Sequence, residues 1–519
     1  MDWSAVYDNH GEEEGRWEDH GETRSSRNAH RLLHRKASLS FSLPLSAERR
    51  PQVSDSADAE AQYSPLVAYA FTVNYILGVG SLGVPFAFFR AGLLLSHLMV
   101  ALVTLVSYMT VMWVSESVAR AREAAAAAHR ATEASALLLF VEKDAQPVAP
   151  AFDDFPEVTQ LCDRFLGPLG SRLYQLSLLG LMYGGLLGYS QVFVNSFLTQ
   201  VASVGGVQIT SVHAAGVFAA IVVPLSCSDL TEQILVQLLM AVVRFAALLI
   251  MIVSAAYAMD ADPFDSGMDA APADAAPPFV SAYRLVDLSG FGVMFSTAVF
   301  SQLFQHSVPG LLAPLGRANQ AKSHAIFGGT LLTTMLFYVA LGSVCSLYFG
   351  PKVASSVNLN WADFTWGLAA SAHELPFWAK AMSTLVVVFP ALDTLSVYPL
   401  ISVTLGDNMA AVVPLPWVRA VGGRPFWKLL CRFGACLPPL VVSVFVSDLS
   451  LTLQFSGMAG VYVAFFAPAL LQLSAAREFP GATVYSGAFS SARWAYAVLG
   501  FGALAFAVLL YQFALQVLG

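Results

Sequence analysis

Apolar residues along this chain gather into long runs of 15 to 28 positions, at approximately 66–89, 92–117, 173–200, 212–226, 232–258, 289–312, 326–349, 378–403, 429–446, 450–473 and 494–515. About 20 apolar residues, at 1.5 Å of rise each, cross the hydrocarbon core of a bilayer as a helix. The pattern predicts an all-α membrane protein with eleven transmembrane helices, the fourth and ninth of them short. Two runs are interrupted. In the first, Val73-Asn74-Tyr75-Ile76-Leu77-Gly78-Val79-Gly80-Ser81-Leu82-Gly83-Val84-Pro85 sets three glycines and a proline inside apolar sequence. Both residue types weaken a helix, and lipid satisfies none of the N–H and C=O groups that a break sets free. Such a segment must line a cavity or be buried in protein.

The sixth run carries Phe300-Ser301-Gln302-Leu303-Phe304-Gln305-His306-Ser307-Val308-Pro309-Gly310, five polar side chains followed by Pro-Gly. Helices 1 and 6 enter the membrane from opposite sides. Two broken helices five apart and oppositely directed predict a five-plus-five inverted repeat, 66–258 and 289–473, within a single transmembrane domain of 66–515. Helix 11, at 494–515, lies outside the repeat.

Composition agrees: 56% of the 519 residues are hydrophobic and 12% charged, against about 25% charged in a soluble domain, and mean hydropathy is +0.62. The net charge of −8 matters only through its sidedness, and no basic face for nucleic acid is present. With the N-terminus inside, 22 of the 27 Lys and Arg fall on the cytoplasmic side, as insertion favours, and the C-terminus lies outside. Residues 1–65, rich in Glu, Arg, His and Ser, read as a disordered cytoplasmic tail without a cleavable signal, open to a cytosolic partner. Tyr63-Ser64-Pro65-Leu66 fits a sorting signal but abuts helix 1, so plasma membrane and endolysosomal membrane both remain open. Ala124 to Ala128 extend helix 2, and the outer loop from Asp260 to Asp287, with six Asp and four Pro, forms an irregular solvated cap.

Gly78-x-Gly80-x-x-Gly83 lacks the preceding strand and the later acid of a dinucleotide site, since Ala101, Leu102 and Val103 stand about 20 residues on. Cys162, Cys227, Cys345, Cys431 and Cys436 offer no pair within one outer loop, so neither disulfide nor zinc site is expected. No His-x-x-x-His cluster, Gly-x-Ser-x-Gly elbow or paired-acid motif supports an enzyme, and no cofactor is implied beyond H⁺ or Na⁺ as coupling ion.

The breaks carry the chemistry. Backbone N–H groups at Gly78, Val79 and Gly80, at a positive helix end, suit a carboxylate; free carbonyls there and around Phe300 to Phe304 suit an ammonium. The substrate set is therefore Asn74, Gly78, Val79, Gly80, Phe300, Ser301, Gln302 and Phe304. The glycines have an alternative role in close helix packing. Ionisable groups at membrane depth are costly, which singles out His306 and Asp393, the latter with Asn74 or Thr394, for a proton or sodium ion. Arg244 in helix 5 either pairs with an acid across the bundle or snorkels to the interface.

Asn74-Tyr75-Ile76-Leu77-Gly78-Val79-Gly80-Ser81-Leu82-Gly83-Val84-Pro85-Phe86-Ala87 with Ala91-Gly92, the His306 to Pro309 string, and Phe389-Pro390-x-x-Asp393-x-x-Ser396-x-Tyr398-Pro399-Leu400 with Leu405-Gly406-Asp407-Asn408 resemble the amino acid/auxin permease family. The likeness is to a poorly characterised branch, within the amino acid, polyamine and organocation transporters. It implies the LeuT-like five-plus-five repeat with discontinuous helices 1 and 6. The expected function is secondary active transport of a small amino acid or related zwitterion by alternating access, coupled to a cation. A receptor that binds the same ligand without moving it, signalling through the tail, is the alternative.

Overall fold

The computed structural model describes residues 64–138, 155–201, 203–204, 207–227, 234–261, 284–368, 375–412 and 423–518. The expected tail and most of the acidic loop lie outside the described residues. Helix α1 (Pro65–Ile76) opens with Ser64 accepting from the Val67 N–H at 3.3 Å and Pro65 in the first turn, where its missing donor costs nothing. After Leu77, Gly78 and Val79, helix α2 (Gly80–Ala91) sets off at 58°. Pro85 sits inside α2, six residues past Val79, so the glycine pair rather than the proline sets the position of the break.

Helix α3 (Leu93–Leu138) is 46 residues long, so the Ala-rich segment does prolong the second span. Helix α4 (Val158–Gln200) kinks at Gly167, with φ of 73° just ahead of Pro168. An antiparallel hairpin, Ser203–Val204 with Val207–Gln208, leads to α5 (Ser211–Cys227) and then α6 (Ile234–Ala261). Asp287 caps a 3-10 turn at Leu288–Gly290, and the Ser289 hydroxyl and N–H hold its carboxyl below the usual range. There follow α7 (Phe291–Gln302), a 3-10 turn (Gln305–Ser307), α8 (Val308–Leu312) and α9 (Arg317–Gln320). Pro309 falls in the first turn of α8, where it starts a helix instead of breaking one. The remaining helices are α10 (Ser323–Phe349), α11 (Phe377–Val412), α12 (Arg424–Phe445), α13 (Leu449–Val461), α14 (Ala467–Glu478) and α15 (Ala492–Leu518). A π-helical turn, Tyr462–Phe466, joins α13 to α14.

Among the described residues eight helices are long and apolar enough to cross a membrane, or nine with α1 and α2 as one bent span. The chain is an almost wholly helical, multi-pass integral membrane protein. Each of the eleven expected runs is helical, but α5 has 17 residues, and α7 and α8 have 12 and 5.

Small residues bring the central helices together. On α13, Ser456 closes on Gly184 of α4, and Gly457 closes on the Ser296 carbonyl of α7. Close backbone approach of this kind replaces the hydrophobic drive that lipid does not supply. At the face where α2 ends, Leu94 N–H donates to Leu285 O at 2.9 Å and Asp287 N–H to Ala91 O at 2.8 Å. The same face is covered by 350–368, whose Asn358 donates to Ser196 Oγ (3.1 Å) and Val387 O (3.3 Å), and whose Trp361 donates to Ser254 Oγ (3.1 Å).

A Cβ at Gly457 would collide with α7 backbone, whereas one at Gly216 would meet nothing within 4 Å. Gly457→Ala is expected to destabilise the fold by about 1 to 3 kcal/mol through overpacking, read as a lower apparent melting temperature in detergent. Gly216→Ala should not lower it.

Candidate functional site

At the first break the last regular bond of α1 is Leu77 N–H to Val73 O, 3.0 Å. Gly78 N–H turns back to Ile76 O (2.9 Å), Ser81 N–H and hydroxyl both reach Gly78 O (3.1 and 2.7 Å), and Val79 N–H meets the Tyr189 hydroxyl. Two of the three N–H groups expected to cradle a carboxylate are thus engaged within the protein. At the second break Leu303 is extended (φ −87°, ψ 115°), and the Gln305 amide bridges Phe304 N–H (3.0 Å) to Thr110 Oγ1 of α3 (3.0 Å).

The two breaks meet. A Cβ on Gly80 would stand 2.5 Å from Ser301 Oγ and 3.1 Å from Ser301 Cα, so only glycine lets α2 lie this close to the end of α7. The Tyr338 hydroxyl of α10 lies 3.1 Å from Ile76 O and 2.8 Å from Ser301 O, one proton between the carbonyl ends of two broken helices. Toward the face where α1 starts, the Tyr75 hydroxyl lies 2.9 Å from His306 Nε2 and accepts from Ser307 Oγ at 2.5 Å.

Arg244 of α6 reaches the first break from the other side. Its Nε donates to Asp393 Oδ2 (3.2 Å), and Nη2 donates to both carboxylate oxygens (2.7 and 2.8 Å). Nη1 faces Asn74 O (2.9 Å), Asn74 Oδ1 (3.0 Å) and Leu77 O (2.5 Å). All five guanidinium hydrogens have acceptors, and both side chains are 8% exposed. Of the two roles open to Arg244 in sequence, pairing with an acid is the one found. The expected cation site of Asp393 with Asn74 is occupied by the protein's own cation. Thr394 Oγ1 donates to Ala391 O at 2.7 Å within α11.

A small cavity of about 20 Å³, room for about one water, lies beside this pair, lined by Gly78, Val79, Tyr189, Arg244, Asp393 and Thr394, with apolar side chains between them. Phe300, Ser301, Gln302 and Phe304 are not in its lining. Phe304 is buried against Phe327, ring centroids 5.8 Å apart. Gln302 and Ser301 are buried, and the Gln302 amide atoms, Ser301 Oγ and His306 Nδ1 have no hydrogen-bond partner among the described residues. Buried polar atoms of this kind ordinarily find partners, so the second break holds unspent donors and acceptors for a polar guest. The first break offers a neutralised ion pair instead. Tyr338 and Tyr189 escaped the sequence reading; the only signal was a hydroxyl-bearing side chain inside an apolar run. Among the described residues no group of three or more His, Cys, Asp or Glu could hold a metal ion.

No protein-family model matches the chain. The human protein named Transmembrane protein 104 is 22% identical over 471 residues, covering 80% of this chain and 88% of that one. A Dictyostelium discoideum homolog is 21% identical over 79% of this chain and 88% of its own, and a Caenorhabditis elegans homolog 24% over 70% and 71%. Among solved structures, the inward-facing conformation of Mhp1 shares 14% identity over 90% of this chain and 92% of its own, with a TM-score of 0.46. A manganese transporter from Eremococcus coleocola shares 14% over 91% and 90%, at 0.43. The relatives carry the name Transmembrane protein 104, and the resemblance to amino acid/auxin permeases rests on the quoted motifs alone.

Arg244→Ala leaves the buried Asp393 unpaired and is expected to cost about 3 to 5 kcal/mol, whereas Arg244→Met with Asp393→Leu, which removes both charges, should restore most of that. A double-mutant cycle on chemical unfolding in micelles measures the difference.

Proposed function

We propose that this protein is a secondary active transporter that binds a small amino acid or related zwitterion where its two broken helices meet, and carries it by alternating access. The observation that supports this most is the Tyr338 hydroxyl between Ile76 O and Ser301 O, because it brings two orphaned carbonyl ends into one place. The carbonyl ends of α1 and α7 carry partial negative charge and suit an ammonium, while the N-terminus of α2 at Gly80 carries the opposite sign and suits a carboxylate. Two helices broken midway, α1 with α2 and α7 with α8, fit a pair of inverted repeats around that point.

The coupling ion on this reading is the proton. Arg244 already supplies a positive charge to Asp393 and to the carbonyls of Asn74 and Leu77, which removes the ligands that sodium would need there. His306, bonded through Nε2 to Tyr75 and with Nδ1 unpartnered among the described residues, is the group that takes up and returns the transported proton.

Counterflow of a labelled amino acid panel into proteoliposomes, at two pH values and with sodium or choline, tests the proposal. Flux of at least one small zwitterion is expected, sensitive to pH and unchanged by choline; binding without flux would make the protein a receptor. Gly80→Ala, which pushes α2 off Ser301, should lower flux about tenfold or more, the scale of effect that an ångström of misplacement has at a built site.

A further inference from the structure

A second polar cluster centres on Glu116, about 9 Å along α3 from Thr110, the residue bonded to Gln305 at the second break. Glu116 of α3 is fully buried, and its carboxylate accepts from Arg120 Nη2 (2.8 Å), from Gln472 Nε2 of α14 (3.1 Å), and from the hydroxyls of Ser486 (3.2 Å) and Ser490. Arg120 Nη1 in turn donates to Gln472 Oε1 at 3.0 Å. A carboxylate in such a place is tolerated only because its charge is paired and its lone pairs are filled. Two of those four donors come from the connection between α14 and α15, residues 479–491.

That connection is a built strap. Ser486 Oγ accepts from Thr483 N–H (2.9 Å) and Ser490 Oγ from Gly487 N–H (2.8 Å), so each serine closes a turn with its oxygen and spends its hydrogen on Glu116. Trp113 Nε1 and Gln472 Nε2 hold the chain further, at Phe489 O and Ser490 O, both 2.9 Å. At its tip, Gly487 presses on the His324 ring at the start of α10, where a Cβ would stand 2.9 Å from Cε1. His324 Nδ1 is bonded to the Tyr108 hydroxyl of α3 at 2.9 Å, and the Tyr108 ring meets Phe489 edge-on at 6.2 Å.

The clamped helix is the one that holds the breaks. Helix α10 runs 27 residues without proline, and the 14 residues from His324 to Tyr338 span about 21 Å. Along it, Thr333 bonds Tyr69 of α1 at 2.6 Å, and Tyr338 bonds Ile76 O and Ser301 O. A continuous helix held at its start by the strap therefore links the strap to α1 and to both breaks at its middle.

We propose that residues 479–491 form a releasable latch: seated on Glu116 they clamp the start of α10 and hold both broken helices in the present conformation, and unseated they free α10, α1 and the second break to move together. The latch works whatever solute the breaks bind.

Hydrogen exchange on the purified full chain in nanodiscs, without added solute, tests this. Ser486→Ala with Ser490→Ala removes both hydroxyl donors and leaves the Glu116, Arg120 and Gln472 contacts in place. Exchange in 65–77 and 303–312 is expected to speed up tenfold or more, together with that of 479–491. Acceleration confined to 479–491, or none, would overturn the proposal and leave the strap a static cover. In the opposite arm, Gly487→Cys with His324→Cys is joined by a short thiol-reactive cross-linker to pin the strap to α10. The cross-linked form should exchange at least tenfold more slowly at both breaks than the unlinked form, and equal rates would sink the latch even if the serine variant fails to fold.

Discussion

A peptide group left unpaired in hydrocarbon costs several kcal/mol, and this protein interrupts its regular helical pairing twice, at Leu77 to Val79 and at Leu303 to Phe304. Much of the tertiary structure serves to make those two interruptions tolerable. Tyr189 takes the Val79 N–H, Gln305 takes the Phe304 N–H, and Tyr338 offers one proton to carbonyls from both sides. Gly80 then lets the two breaks touch, because any side chain there would hold them apart. At the second break the Gln302 amide and the Ser301 hydroxyl have no hydrogen-bond partner among the described residues.

Charge is handled by the same economy. Arg244 and Asp393 would each be prohibitive alone at this depth, and together they form a neutral unit that also absorbs the free carbonyls of Asn74 and Leu77. Glu116 and Arg120 repeat the device midway along α3, with two serines of a loop completing the shell. In both clusters a fixed partner from the chain fills coordination positions that an ion or water would otherwise take. Each pair also ties together elements distant in sequence: 149 residues separate Arg244 from Asp393, and 374 separate Ser490 from Glu116.

Helix α10 connects these themes. It is unbroken, and it touches the first span through Thr333, both breaks through Tyr338 and the strap through His324. The opposite face is closed by 350–368, with Asn358 and Trp361 bonded to α4, α6 and α11. The bundle thus has a cover on one face and a strap on the other, with α10 running between them.

Membrane spans and breaks were legible because they follow from local chemistry. An apolar run of sufficient length is a helix in lipid whatever its neighbours, and glycines within one mark where it fails; all eleven runs are helical, and Gly78 and the Ser301 to Gln305 string lie at the interruptions. Pro85 misled for a local reason too, since a proline inside an otherwise paired helix need not end it. Pairing was not legible. Nothing in the order of residues states that Arg244 meets Asp393 rather than lipid headgroups, or that Tyr338, one hydroxyl in an apolar run, stands between two breaks. That Arg244 stands against Asp393 and Asn74, which sequence singles out for a proton or sodium ion, was hidden for the same reason, because the two partners of the ion pair lie 149 residues apart and only packing brings them together. Sequence by itself determined where this chain crosses and where it cannot stay helical, through periodicity and backbone preference. Tertiary structure alone decided which orphaned groups face one another, because that depends on the rotation and depth of each helix against the others, to within a hydrogen bond's length.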